Sequence, residues 1–175
     1  KEWCRSPHQG EENFDEWLKR EKIPGLESID TRELTIITRE TGTLRAVICT
    51  DGEITPEEGV QRAKKMKWPS NSNLVAKVST KKIYKEGEKG PNVTLFDWGV
   101  KKSIVTNLAE KNKVTVVPWN YSIDEIHKTK PDLIFMSNGP GDPDHPGMKS
   151  VVDNISELIK DYPTIGICLG HQILG

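Results

Sequence analysis

Cysteine is scarce: Cys4, Cys49 and Cys168 are the three in the chain. Their number is odd and their spacing wide. Neither a disulfide framework nor a zinc-ligand pattern fits, and no metal site is expected; the usage favours a reducing, cytoplasmic compartment. An excess of charge of one sign is also missing. Lys plus Arg number 25 against 26 Asp plus Glu, a net charge of -1. That balance argues against nucleic acid and membrane surfaces as partners, since both favour a large positive excess. No run approaches the roughly 18 apolar residues of a transmembrane helix, and Lys1 opens no signal-peptide pattern. A Walker A lysine pattern is absent too.

What remains is a chain of 175 residues, 34% hydrophobic, with a mean hydropathy of -0.59. The length suits one domain or two small ones, and apolar clusters at 133–136 and 165–169 can build a core. The opening without Met and the stop at Gly175, just after an apolar strand pattern, suggest a piece of something longer.

The expected fold class is α/β, in two parts. Residues 1–80 read as a mixed α/β domain. A short amphipathic stretch at 16–22 is stopped by Pro24-Gly25. A helix capped by Asp30 or Thr31 ends at Gly42, and 44–49 is β-rich enough for a strand. Thr55-Pro56-Glu57-Glu58 starts another helix, with Thr55 as cap and Glu58 completing a capping box. Residues 81–91, rich in charge and glycine, read as a linker. From 92 to 175 strand and helix alternate: strands at 93–96, 114–118, 132–137 and 164–168, helices at 101–111, 122–128 and 148–160. Such strands, apolar almost throughout, predict an open parallel sheet covered on both faces and broken off mid-fold.

Ligands of open α/β sheets gather at the carboxyl ends of the strands. Two loops lie there. In Ser137-Asn138-Gly139-Pro140-Gly141-Asp142-Pro143, glycines let backbone N–H groups approach a ligand while prolines stiffen the turn. The segment is either a preformed hydrogen-bonding pocket or only a tight, ordered turn. It is not a dinucleotide loop, because the G-x-G-x-x-G spacing fails. The second, Gly166-Ile167-Cys168-Leu169-Gly170-His171-Gln172, has the G-x-nucleophile-x-G form of a strand-to-helix elbow. A thiol there lies by a helix N-terminus, a setting that favours the nucleophilic form. The Leu169 N–H and the Gly139 loop would together face an oxyanion. The bland alternative is a small buried cysteine at a strand end. His171, three residues along the new helix, reads as a packed or partner-contacting histidine rather than a base, and His127 and His145 look solvated. Asp97-Trp98-Gly99, after the first strand of the sheet, sits at the right edge for a site, but a turn is the simpler explanation. The five tryptophans read as core or interface anchors.

SNGPGDP followed by GICLGHQ resembles the class I glutamine amidotransferases. The segments IPGLESIDTRELT and LFDWGVK are similar to the glutamine-hydrolysing small subunits of carbamoyl-phosphate synthetases. Amidotransferases of anthranilate, GMP or CTP synthesis share the elbow but not such a domain in front. The resemblance implies that Cys168 is the nucleophile and forms a glutamyl thioester. It implies that Gly139 and Leu169 hold the oxyanion, and that Gly141 and Gln172 bind L-glutamine. It further implies a large partner subunit, separate or fused, which uses ATP, Mg and bicarbonate to make carbamoyl phosphate for arginine and pyrimidine synthesis. No cofactor is implied on this chain itself. The family's catalytic His and Glu are expected downstream of Gly175, and a serine glutamine contact upstream of Lys1. A non-catalytic interaction module is the rival reading, against which the retained Cys168 speaks.

Overall fold

Capping chemistry sets the first three helices. In the computed structural model, which describes residues 13–50 and 52–175, α1 (Phe14–Arg20) opens on a reciprocal box between Asn13 and Glu16. Helix α2 (Thr31–Thr41) opens on Asp30, whose carboxylate accepts from the Glu33 N–H at 2.8 Å. It stops at Gly42, whose φ of 80° lies in the region that favours glycine. Helix α3 (Pro56–Lys65) carries both halves of the Thr55/Glu58 box, with proline in its first turn. None of the three helices contains a buried residue. The strand expected at 44–49 does not form. A strand needs a neighbour for its N–H and C=O groups, and no described segment of this region pairs with it. Arg45 instead sends its guanidinium to the carbonyls of Lys64 and Met66, each at 2.8 Å.

The chain divides into two compact units between Lys67 and Trp68. The boundary therefore falls ahead of the 81–91 segment read as a linker, and that segment belongs to the second unit. The reason is visible in its bonds. Helix α4 (Leu74–Val78) buries Val75 in the second unit's core. Beyond it, the Thr80 N–H donates to Asp97 at 2.7 Å, and Ser79 Oγ accepts from the Trp119 N–H at 2.9 Å. Strand β1 (Tyr84–Glu86) then joins the sheet antiparallel to β3 (Lys113–Val117). Three residues, one aromatic and two of opposite charge, are too short a pattern to read as a strand from sequence.

The sheet has five strands in the order β1-β3-β2-β4-β5, where β2 is Asn92–Phe96, β4 Leu133–Met136 and β5 Thr164–Gly166. Apart from β1 it is parallel, as expected. Period-two alternation assigns its two faces. Val93 and Leu95 of β2, Val114 and Val116 of β3 and Phe135 of β4 pack with Val105 of α5 (Lys102–Ala109). Phe96, Val117, Ile134 and Met136 face the other way, against Ile126 of α6 (Ile123–Thr129) and Val151, Ile155 and Leu158 of α7 (Lys149–Asp161). Full burial of such side chains stabilises by about 1.5–3 kcal/mol each, which explains why this half of the chain holds a regular sheet. The final helix, α8 (Leu169–Leu174), follows β5 directly.

Strand order places the functional end. From the central β2 the chain moves outward to β3, then crosses back to β4 on the other side of β2. The loops leaving β2 and β4 diverge from adjacent strand ends, which makes this the switch point where open sheets form ligand crevices.

Candidate functional site

Cys168 sits between β5 and α8 with φ 52° and ψ -112°. A non-glycine residue in the positive-φ half of the map costs on the order of 1–3 kcal/mol, and such strain collects at functional positions. The thiol is exposed and unpaired. It is therefore not the small buried cysteine of the bland reading. Its sharp turn lifts the side chain off the end of the strand.

The glycines around it are dictated by space. A Cβ at Gly166 would lie 2.4 Å from the carbonyl carbon and oxygen of Gly170 and 2.6 Å from the His171 nitrogen. A Cβ at Gly170 would lie 2.3 Å from the Met136 oxygen. The obstacles are backbone atoms that cannot swing aside. Two bonds fasten the turn to the end of β4: Ile167 N–H to the Met136 carbonyl at 3.0 Å, and Gly170 N–H to the Ser137 carbonyl at 3.2 Å.

The same strand end carries the 137–143 loop. Gly139 touches both neighbours, since a Cβ there would meet the Trp98 carbonyl oxygen at 2.2 Å and Leu169 Cδ2 at 3.0 Å. The structure thus brings Leu169, the neighbour of Cys168 in the chain, against Gly139 beside the sheet's switch point. Leu169 opens α8, so its N–H has no intrahelical acceptor. The Gly139 N–H has no protein acceptor among the described residues. Two unengaged donors beside an exposed thiol have the makings of an oxyanion hole.

The other residues stand further off. Gly141 has φ 103°, and the space a side chain would take there borders Leu74 rather than the elbow. Gln172 is exposed one turn into α8, its N–H bonded to the Cys168 carbonyl at 2.9 Å. His171 is exposed on the same helix. His127, read as solvated, is exposed but its Nδ1 pairs with the Tyr162 hydroxyl at 2.6 Å. His145 is half-buried and accepts from the Gly147 N–H at 3.0 Å. Of the tryptophans, Trp98 is completely buried whereas Trp17 and Trp68 are exposed. Cys49 lies in the first unit, lining a cleft of about 400 Å³ with Arg45, Ile54 and Val60. Cys4 falls outside the described residues.

Asp97-Trp98-Gly99 forms a turn, as the sequence suggested. Asp97 is buried, and its Oδ1 accepts from the Gly99 and Val100 N–H groups at 2.9 Å each. The turn it folds is bound to Ser137 and Asn138 across the switch point. An acidic residue directly after a buried strand, with glycine two residues on, was the signal for that turn. Among the described residues no group of three or more His, Cys, Asp or Glu side chains could hold a metal ion, and no helix is long and apolar enough to cross a membrane.

An open sheet with a cysteine elbow on the strand beside its switch point defines a class, and comparison gives that class a name. Residues 94–175 match the family model for class-I glutamine amidotransferases. Residues 1–48 match that of the carbamoyl-phosphate synthase small chain, CPSase domain. The carbamoyl phosphate synthase small chain of Bacillus caldolyticus is 39% identical over 176 residues, covering 99% of this chain and 47% of the relative. That of Methanocaldococcus jannaschii is 41% identical over 167 residues, covering 92% and 47%. The pyrimidine-specific small chain of Halalkalibacterium halodurans is 39% identical over 176 residues, covering 99% and 47%. The chain is thus similar to carbamoyl phosphate synthase small chains over almost all of its own length. It spans about half the length of these relatives.

Proposed function

We propose that the chain is the nucleophile-bearing part of a glutamine-hydrolysing subunit of carbamoyl phosphate synthase. The observation that carries this is the strained, exposed Cys168 between two glycines that no larger residue can replace. Its sulfur attacks the side-chain amide carbon of L-glutamine. The negative charge that develops on the amide oxygen is held by the N–H groups of Leu169 and Gly139. The carbon–nitrogen bond then breaks, the thiol proton leaves with the nitrogen as ammonia, and a glutamyl thioester remains. Water hydrolyses that thioester to glutamate and returns the proton to Cys168. Both steps need a proton carrier. His171 does not bond the thiol, and the resemblance assigns the role to a His and Glu downstream of the elbow. Gly141 and Gln172 bind the substrate in this reading.

Ammonia passes to a large subunit, separate or fused, where ATP, Mg and bicarbonate are used to form carbamoyl phosphate in the cytoplasm. The pyrimidine-specific name of one relative supports a place in pyrimidine synthesis, and arginine synthesis is the second expected outlet. The test is Cys168→Ser in the full-length protein with its partner subunit. Glutamine-dependent carbamoyl phosphate synthesis is lost while synthesis from added ammonia persists. Loss of both, or retention of both, would overturn the assignment.

A further inference from the structure

The Gly139 donor sits on a peptide held from two sides by side chains that no chemical step uses. Ser137 is completely buried. Its hydroxyl accepts from the Trp98 N–H at 3.0 Å and donates to the Asn138 carbonyl oxygen at 2.7 Å. That oxygen belongs to the same peptide unit as the Gly139 N–H. A trans peptide is planar, with its C=O and N–H pointing in opposite directions. Fixing the oxygen therefore fixes where the N–H aims.

The Asn138 carboxamide supplies the second hold. Its Nδ2 donates to the Gly99 carbonyl at 2.9 Å, and its Oδ1 accepts from the Lys101 N–H at 3.2 Å. The turn it grips is rigid in its own right, because the Asp97 carboxylate accepts from Gly99, Val100 and Thr80. Gly139 is pressed against this turn so closely that not even a methyl group fits between it and the Trp98 carbonyl.

We propose that Asn138 is a positioning residue: it ties the oxyanion loop to the 97–101 turn and so sets the aim of the Gly139 N–H. The inference rests on the reading of Cys168 as a glutaminase nucleophile. It adds a role that the resemblance does not assign. Removing an oxyanion donor outright costs about 10²–10³ in turnover, and a misplaced donor loses a share of that.

The experiment compares wild type, Asn138→Asp, Asn138→Ala and Cys168→Ser in the full-length protein with its partner subunit. Asp keeps the shape and the acceptor for the Lys101 N–H but loses the donor to Gly99; Ala loses both. The expected result is a graded fall in kcat for glutamine hydrolysis, about 10- to 100-fold for Ala and less for Asp. KM should stay within about threefold. Cys168 alkylation by iodoacetamide, which forms no oxyanion, should keep the wild-type rate. A kcat for Asn138→Ala within twofold of wild type would overturn the proposal. So would KM and alkylation changing in step with kcat, because that marks general disorder of the site. If Asn138→Ala does not fold, Asn138→Asp decides by the same criteria; failure of both to fold assigns Asn138 to the fold and rejects the proposal. Glutaminase activity surviving in Cys168→Ser would instead strike down the nucleophile reading itself.

Discussion

Replacing Gly170 by alanine sets two opposing effects against each other. At an open helical position the change stabilises by about 1 kcal/mol, because alanine has the higher helix propensity. Here the new methyl would stand 2.3 Å from the Met136 oxygen and 2.8 Å from that residue's carbonyl carbon and Cβ. Ordinary contact begins at 3.4 Å, so the elbow must retreat by about 1 Å. Overpacking of this kind costs about 1–3 kcal/mol, and an obstacle made of sheet backbone belongs at the upper end. The net expectation is a loss of about 2 kcal/mol, seen as a fall in Tm of about 4–8 °C. The retreat also carries Leu169 away from Gly139, and a misplacement of about 1 Å can cost about 10²-fold in rate. The assay pairs a thermal melt with glutamine turnover in the full-length protein. A Gly170→Ala variant with wild-type Tm and wild-type turnover would refute the steric account of the elbow.

Further predictions follow from single observations. Cys168→Gly should melt about 2–4 °C higher than Cys168→Ala, because glycine releases the strain at φ 52° by about 1 kcal/mol; equal melting would mean that no strain is stored there. Gly139→Ala, driven off the Trp98 carbonyl, should lower glutamine turnover by at least about tenfold, while leaving α6 and α7 as protected from hydrogen exchange as in wild type; unchanged turnover would remove Gly139 from the oxyanion site. The Glu125 carboxyl is held below its ordinary 4.5 by hydrogen bonds from the Ser122 side chain and backbone. A depressed folded value means the stabilisation is full above pH 4.5 and fades as pH falls through the lower folded value. The Tm difference between wild type and Glu125→Ala should therefore shrink on acidification below pH 4.5, and a constant difference would contradict the capping argument.

The sheet was readable because its strands are apolar runs bounded by glycine, proline and capping residues, and each run needed only neighbours of the same kind. The elbow was readable for a different reason. Two glycines that exclude any Cβ, placed around a nucleophile, write the tertiary packing directly into the sequence. Three things were not legible. Tyr84–Glu86 becomes a strand only because β3 offers it an edge, and Tyr84 is the one apolar residue among its three. Residues 44–49 have β propensity but no strand among the described residues to pair with, so propensity alone misled. Asn138 looks like an ordinary turn residue, and its meaning lies in bonds spanning 37 to 39 positions to the 99–101 backbone, which no local pattern encodes.

The central claim is that Cys168, alone of the three cysteines, attacks glutamine. It is met most directly by treating the full-length protein with an electrophilic glutamine analogue and mapping the adduct by mass spectrometry, with excess glutamine as competitor. The account predicts one adduct, on Cys168, suppressed by glutamine, with Cys4 and Cys49 unmodified. Labelling spread over all three thiols, or an adduct on Cys168 indifferent to glutamine, would contradict it.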